Sequence, residues 1–205
     1  MRIEDQRILA IAPHIDDVEL GVGATIHRLA RKNEIYYVAM SFPPDVDRNV
    51  FMHEFTTSID ILGVPQSHII QRNFNPRNLF DARSDILQLF FELNRDLRPT
   101  IVFTPNSKDI HQSHEVVYAE ARRAFKYGTI LGYELPWNSM EFSMDVFITV
   151  TQKNVEAKVK AINAYKTQKH RMFFSNNIVG DLAHVRGKQI GADYAECFEM
   201  IRLIV

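Results

Sequence analysis

The sequence predicts a single-domain α/β fold of Rossmann-like, doubly wound type, with a mostly parallel sheet of order near 3-2-1-4-5 and helices on both faces. Three observations predict it. The chain has 205 residues and 46% apolar content, long enough for one substantial core and short for two. Short β-rich runs alternate with longer stretches of helical period, the pattern of βαβ units. Two polar clusters, one near the N-terminus and one in mid-chain, each follow a strand and precede a helix.

The elements follow in order. Ile8 to Ala12 is an unbroken apolar run and reads as a buried strand. Leu20, Ile26, Leu29 and Ala30 then fall at helical spacing, and Ile35 to Met40 supplies a second strand. Phe51 to Leu62 is a helix that stops at Gly63, and His68 to Gln71 is a third strand. Apolar residues at Leu79, Ile86, Leu87, Phe90, Phe91 and Leu93 mark a long helix over Asn78 to Leu97, and Pro99 suits the start of the strand Thr100 to Thr104. His111 to Phe125 is helical again, with a strand at Thr129 to Tyr133. Beyond Glu134 the pattern is mixed: a strand at Phe147 to Val150, a helix at Val155 to Tyr165 and a terminal strand at Phe198 to Val205. Lys169 to Gly191, with basic residues, Asn176, Asn177 and three glycines, has no clear period and reads as a functional loop region or a short helix between loops.

Composition excludes several classes of function. The formal net charge of -1 comes from 24 basic and 25 acidic residues spread along the chain, so no block of one sign marks a nucleic-acid partner. The longest apolar runs are far shorter than the roughly 20 residues that span a bilayer, so no integral membrane segment is expected. Cys197 is the only cysteine, and Met1 to Arg7 lacks the apolar core of a secretory signal; a soluble cytoplasmic protein fits both. The oligomeric state stays open, a homo-oligomer included.

Chemistry is concentrated in the two clusters. Pro13-His14-Ile15-Asp16-Asp17-Val18-Glu19 places three carboxylates and an imidazole at the carboxyl edge of the first strand, a costly arrangement unless a cation offsets the repulsion. Asp109-Ile110-His111-Gln112-Ser113-His114-Glu115 occupies the same position after the fourth strand. In the order 3-2-1-4-5 those strands are neighbours, and both clusters face one crevice. His14, Asp17 and His114 offer two nitrogens and one carboxylate oxygen, a set suited to catalytic zinc with a position open for water. Ferrous iron or another divalent transition metal takes the same set. Taken singly, Asp16 or Asp17 is an ordinary helix cap.

His14-Ile15-Asp16-Asp17-Val18-Glu19-Leu20-Gly21 resembles the His-Pro-Asp-Asp signature of the LmbE-like or PIG-L family of zinc-dependent de-N-acetylases, and His111-x-x-His114 resembles its distal pair of histidines. Glu54 with Leu62-Gly63-Val64, Arg98-Pro99, Gly132-Tyr133-Glu134, Arg186-Gly187 and Tyr194-Ala195-Glu196 extend the likeness over nearly the whole chain. The resemblance implies that His14, Asp17 and His114 bind zinc, that Asp16 is the general base and that His111 stabilises the oxyanion. It implies as substrate a small molecule, an N-acetylated amino sugar of N-acetylglucosamine type, nucleotide-linked or otherwise conjugated. The chain departs from the pattern: Ile15 replaces the proline, Ala24 part of a Gly-Gly and Gln112-Ser113 a Pro-Asp.

The family's substrate-contacting arginine has no secure match near Glu54, which leaves Arg48 and Arg77 as candidates. Asp109 is a candidate to accept from a nitrogen of His111 and hold it protonated. Tyr133, Glu134, Trp137 and Asn138 form a segment suited to a sugar pocket, although a core role competes for Trp137. Arg186 and His184 are candidates to reach an anionic part of the substrate. His27, His53, His68 and His170 receive no role. Two rival functions share these residues: a ferrous-iron oxygenase, for which a second carboxylate beside Asp17 has no use, and a non-catalytic sugar- or nucleotide-binding module. For the latter, Gly21-x-Gly23 lacks the third glycine of a dinucleotide fingerprint.

Overall fold

A computed structural model describes residues 3–175 and 178–204. Seven strands form one sheet: β1 (Arg7–Ala12), β2 (Glu34–Ser41), β3 (Ile69–Phe74), β4 (Ile101–Pro105), β5 (Thr129–Tyr133), β6 (Val146–Val150) and β7 (Tyr194–Arg202). Their order is β3-β2-β1-β4-β5-β7-β6. The first five are parallel, and β7 runs antiparallel between β5 and β6. The predicted order 3-2-1-4-5 is therefore present, extended by an antiparallel pair.

Helices α1 (Asp17–Leu29), α2 (Arg48–Leu62), α3 (Arg83–Leu97), α4 (Gln112–Ala124), α5 (Gln152–Ile162), α6 (Met172–Ser175) and α7 (Ile178–Gln189) cover the sheet. Alternation along β1 sorts them. Ile8, Ala10 and Ala12 pack against α1, α2 and α5, whereas Leu9 and Ile11 pack against α3 and α4. A strand buried on both faces needs a continuous apolar run, which Ile8 to Ala12 provides. Because α1 and α4 leave their strands toward opposite faces, the carboxyl ends of the adjacent β1 and β4 open a crevice between them.

Local chemistry sets the helix ends. Asp47 accepts from the main-chain N–H groups of Asn49 and Val50, so α2 begins before Phe51; it stops at Gly63, where φ is 80°. Asn78 to Ala82 form turns, with Asn78 bonded to Asp81, and α3 starts five residues later than the apolar pattern suggests. The terminal strand begins at Tyr194 and ends at Arg202, pairing on both edges; Val205, the last residue of the predicted strand, lies outside the described residues.

The stretch from Lys169 to Gly191 is mostly helix. Its longest element, α7, buries Val179, Gly180, Ala183 and Gly187, small side chains that leave no large apolar stripe to read. A Cβ on Gly187 would lie 2.5 Å from the main-chain nitrogen of Tyr194, so α7 packs directly on the backbone of β7. Asn176 and Asn177 lie outside the described residues.

Candidate metal centre

The loop after β1 is drawn closed at its own ends. Ser41, at the end of β2, donates its hydroxyl to the Pro13 carbonyl at 2.7 Å. The His14 N–H donates to Asp17 Oδ2 at 2.8 Å, and the Asp17 N–H to the His14 carbonyl at 3.2 Å. This ring brings the His14 and Asp17 side chains to the same side. From the first turn of α4, His114 completes a triangle. His14 Nδ1 and His114 Nε2 are 3.2 Å apart, His14 Nδ1 and Asp17 Oδ2 3.3 Å, and His114 Nε2 and Asp17 Oδ2 3.1 Å. A tetrahedral cation with bonds of about 2.0–2.1 Å has ligand edges of roughly 3.3 Å, so the three donor atoms fit one face of such a site.

Partners behind the triangle fix its ring nitrogens. His114 Nδ1 lies 2.7 Å from Asp109 Oδ2, and His14 Nε2 lies 3.2 Å from the Pro76 carbonyl, which also accepts from Ser113 Oγ. With those outer nitrogens donating, the inner ones present lone pairs to the centre. The cluster is built for positive charge. Although burial opposes it, Asp17 and Asp109 draw the His114 imidazole up to about 10, and His114 and His14 hold buried Asp17 below the usual carboxylate range.

His111 stands at the edge of the triangle. Its ring lies 4.7 Å from that of His14 and 4.6 Å from that of His114, and the three imidazoles form a group able to hold a metal, with ligand atoms within 4.8 Å of one another. The edges that include Asp17 are shorter. His111 Nδ1 accepts from the Ser113 N–H at 3.3 Å, which leaves Nε2 as the donor of a neutral ring. Burial and the two other histidines push its pKa down to about 4, consistent with neutrality.

Asp16 occupies the N-cap position of α1 but its side chain makes no capping bond, and its φ of 105° is a strained left-handed conformation for a non-glycine residue. The side chain is buried, with Arg171 Nη1 at 3.6 Å from Oδ2. Burial, then the charge of Asp17, holds its carboxyl well above the usual range, while Arg171 opposes the shift. Two consecutive carboxylates are thus pushed in opposite directions, an arrangement that separates a proton acceptor from a permanent anion.

These groups line a cavity of about 790 Å³ whose walls include Pro43, Pro44, Val46, Phe51, Trp137 and Phe173. The rings of Trp137 and Phe173 stack 4.5 Å apart at 8°. A larger cavity, about 910 Å³, lies elsewhere, between the starts of β4 and β5 and strand β6; no acid or imidazole lines it.

The other residues singled out in the sequence divide. Trp137 and Asn138 line the cavity; Tyr133 is fully buried, its hydroxyl on the Ile11 carbonyl. Asp109 sits behind the centre, and its imidazole partner is His114 rather than His111, because Asp109 Oδ1 takes the main-chain N–H of His111 instead. Arg77 is at the mouth, paired with Asp45 at 2.9 Å. Arg48 donates to Asn73 and lies 4.1 Å above the Phe42 ring, outside this cavity. Arg186 spends its guanidinium on buried Glu134 through Nε and Nη2, so neither residue reaches the cavity, and His184 faces Tyr194. His170, which the sequence left without a role, lines the wall together with Gln168, Arg171 and Phe173.

Residues 9–125 match the model of the PIG-L family, described as GlcNAc-PI de-N-acetylase. The chain is 32% identical over 172 residues to the uncharacterized deacetylase YaiS of Escherichia coli (strain K12), covering 78% of this chain and 90% of that one. Among solved structures it is similar to GalB, the 4-carboxy-2-hydroxymuconate hydratase of Pseudomonas putida KT2440, with a TM-score of 0.81, 18% identity and coverage of 98% of each chain. It is also similar to the N,N'-diacetylchitobiose deacetylase of Pyrococcus horikoshii, with a TM-score of 0.75, 21% identity and coverage of 96% and 84%. At those identities the structural likeness speaks for the fold alone.

Proposed function

The chain belongs to the PIG-L family of deacetylases, and from that premise we propose that it hydrolyses the N-acetyl group of an N-acetylglucosamine-type amino sugar, free or conjugated, at a metal centre. The observation that carries this reading is the triangle of donor atoms at 3.1–3.3 Å beside a buried aspartate that caps nothing. His14, Asp17 and His114 hold the metal, zinc being the first candidate for a set of two nitrogens and one oxygen. When bound, it supplies a Lewis acid and a water deprotonated near neutral pH.

The chain's own groups account for the remaining steps. Asp16 takes the proton of the attacking water, and His111 Nε2–H donates to the oxygen on which negative charge develops. A bond forms between the water oxygen and the acetyl carbon, and the carbon–nitrogen bond breaks. Asp16 then delivers the proton it holds to the departing nitrogen, so that acetate and the free amine are released. A carboxyl held above its ordinary range by burial takes the water proton more readily than an exposed one. Apolar side chains of Leu20, Phe51, Val46 and Trp137 around the cavity keep bulk water from the acetyl group.

An oxygenase using the same ligands has no need of Asp16, and a binding module has no need of a strained acid directed at a cation site. Metal analysis of the purified protein, combined with acetate release from a panel of N-acetylhexosamine compounds, tests the proposal. One equivalent of divalent metal and stoichiometric acetate are expected; a protein inactive on every compound with zinc and other divalent metals supplied would overturn it.

A further inference from the structure

We propose that Arg171 binds and orients the sugar in this cavity, and that the buried Glu19 and Glu54 are positioning residues that hold its segment in place; the inference rests on the deacetylase reading above. Two arginines line the cavity. Arg77 is tied to Asp45 at the exposed rim, whereas Arg171 brings Nη1 to within 3.6 Å of Asp16 Oδ2. That separation is an ion pair beyond hydrogen-bond distance, and among the described residues no side-chain hydrogen bond engages the guanidinium of Arg171, whose side chain is 39% exposed, so its N–H donors are open to a ligand or to water. Its guanidinium lies 5.9 Å from the centre of the Phe173 ring, which stacks on Trp137. A fan of donors beside a stacked aromatic wall suits a ring whose edge carries hydroxyls and whose face is apolar.

The segment that carries Arg171 has little regular structure of its own: a single 3-10 turn at Lys166–Gln168 and the short α6. Its geometry comes from two buried carboxylates on other elements. Glu19, in α1, accepts from the hydroxyls of Tyr165, Tyr37 at 2.7 Å and Ser58 at 3.2 Å. Glu54, in α2, accepts from the Thr167 N–H at 3.0 Å and the Thr167 hydroxyl at 2.6 Å. The Arg171 N–H then donates to the Gln168 carbonyl, and the Phe174 N–H to that of Arg171, both at 3.0 Å. Burying a carboxylate is costly, and the hydrogen bonds that offset the cost at Glu19 and Glu54 tie down the same segment at Tyr165 and Thr167.

Arg171→Met and Thr167→Val, singly and together, test both parts, with acetate release, metal content and melting temperature measured for each. The Arg171→Met enzyme is expected to show KM raised at least about tenfold with metal content unchanged, and kcat lowered by a smaller factor than KM is raised, since Arg171 is also the cation nearest Asp16. Thr167→Val, which leaves Glu54 in place but removes one of its donors, should lower kcat/KM about fivefold on the wild-type background and less than about 1.5-fold on the Arg171→Met background, since it acts through the arginine. A wild-type KM in Arg171→Met, loss of metal with it, or additive effects in the double variant would each overturn the proposal. Failure of the deacetylase reading is read separately, as absence of acetate from the unaltered protein. In that event calorimetric titration of N-acetylglucosamine into zinc-loaded wild-type and Arg171→Met proteins decides the matter, and equal affinities, or no binding to either, overturn the assignment.

Discussion

Asp16 and Asp17 are adjacent in sequence and opposite in chemistry. Asp17 is locked by the His14 main-chain N–H and two imidazoles, whereas Asp16 is held in a left-handed backbone conformation with Arg171 as its nearest cation. Exchanging Asp16 for Asn keeps the shape and removes the proton acceptor. The variant is therefore expected to bind metal as the wild type does and to lose about 10²- to 10⁴-fold in kcat, checked by metal analysis alongside acetate release. Loss of metal from it would reassign Asp16 as a ligand. Asp109 works one layer behind the centre: by accepting from His114 Nδ1 at 2.7 Å it fixes which nitrogen faces His14 and Asp17 in the candidate metal site. Asp109→Ala should weaken zinc binding about 10- to 100-fold, measured by competition with a chelating dye, while His14, Asp17 and His114 remain in place.

Helices and strands decide how much of this was readable beforehand. The parallel half was legible because each strand there is an apolar run and each helix has large apolar residues at regular spacing, as in Ile86, Leu89, Phe90 and Leu93 of α3. Both clusters were legible because ligand spacing is local: His14 to Asp17 closes a ring within four residues. Arg171 was not, because its place depends on Glu54 and Glu19, 117 and 152 positions earlier in the chain. Nor was α7, whose contact face is Gly180, Ala183 and Gly187. Gly21 and Gly23 likewise serve packing rather than a phosphate: a Cβ on Gly21 would meet the Tyr133 ring at 2.5 Å, and one on Gly23 the Lys158 side chain at 3.1 Å. The approach of Gly187, equally close but to backbone rather than to a side chain, gives an element-level prediction. Gly187→Ala forces a methyl group into the Asp193–Tyr194 backbone, which cannot yield as a side chain can, and should destabilise the protein by about 1–3 kcal/mol in urea titration.

Across the molecule, the antiparallel pair β7 and β6 does more than widen the sheet, because β7 carries Glu196 into the middle of α1. Glu196 is buried and accepts from Thr25 N–H at 2.6 Å, from Ala24 N–H at 3.2 Å and from Lys158 Nζ of α5 at 2.6 Å. One carboxylate thus joins α1, α5 and β7, while the N-terminal end of α1 supplies Asp17 to the candidate metal site and the residue before it is Asp16. A buried pair of this kind adds little over an apolar replacement of both partners, but removing one partner leaves an uncompensated charge. Lys158→Met is accordingly expected to cost about 3–5 kcal/mol, or roughly 6–20 °C in melting temperature for a chain of this size. Lys158→Met combined with Glu196→Gln should recover a large part of that loss, because the amide is neutral and its oxygen still accepts from α1. Metal affinity separates the roles of the two ends of α1. If the clamp sets only stability, the Lys158→Met protein binds zinc normally below its melting transition; if it also sets the position of Asp17, zinc affinity falls with stability and returns in the double variant. The ring between His14 and Asp17 closes without help from α5 or β7, so normal zinc binding is the expected result, and a parallel loss would show that the far half of the sheet positions the site.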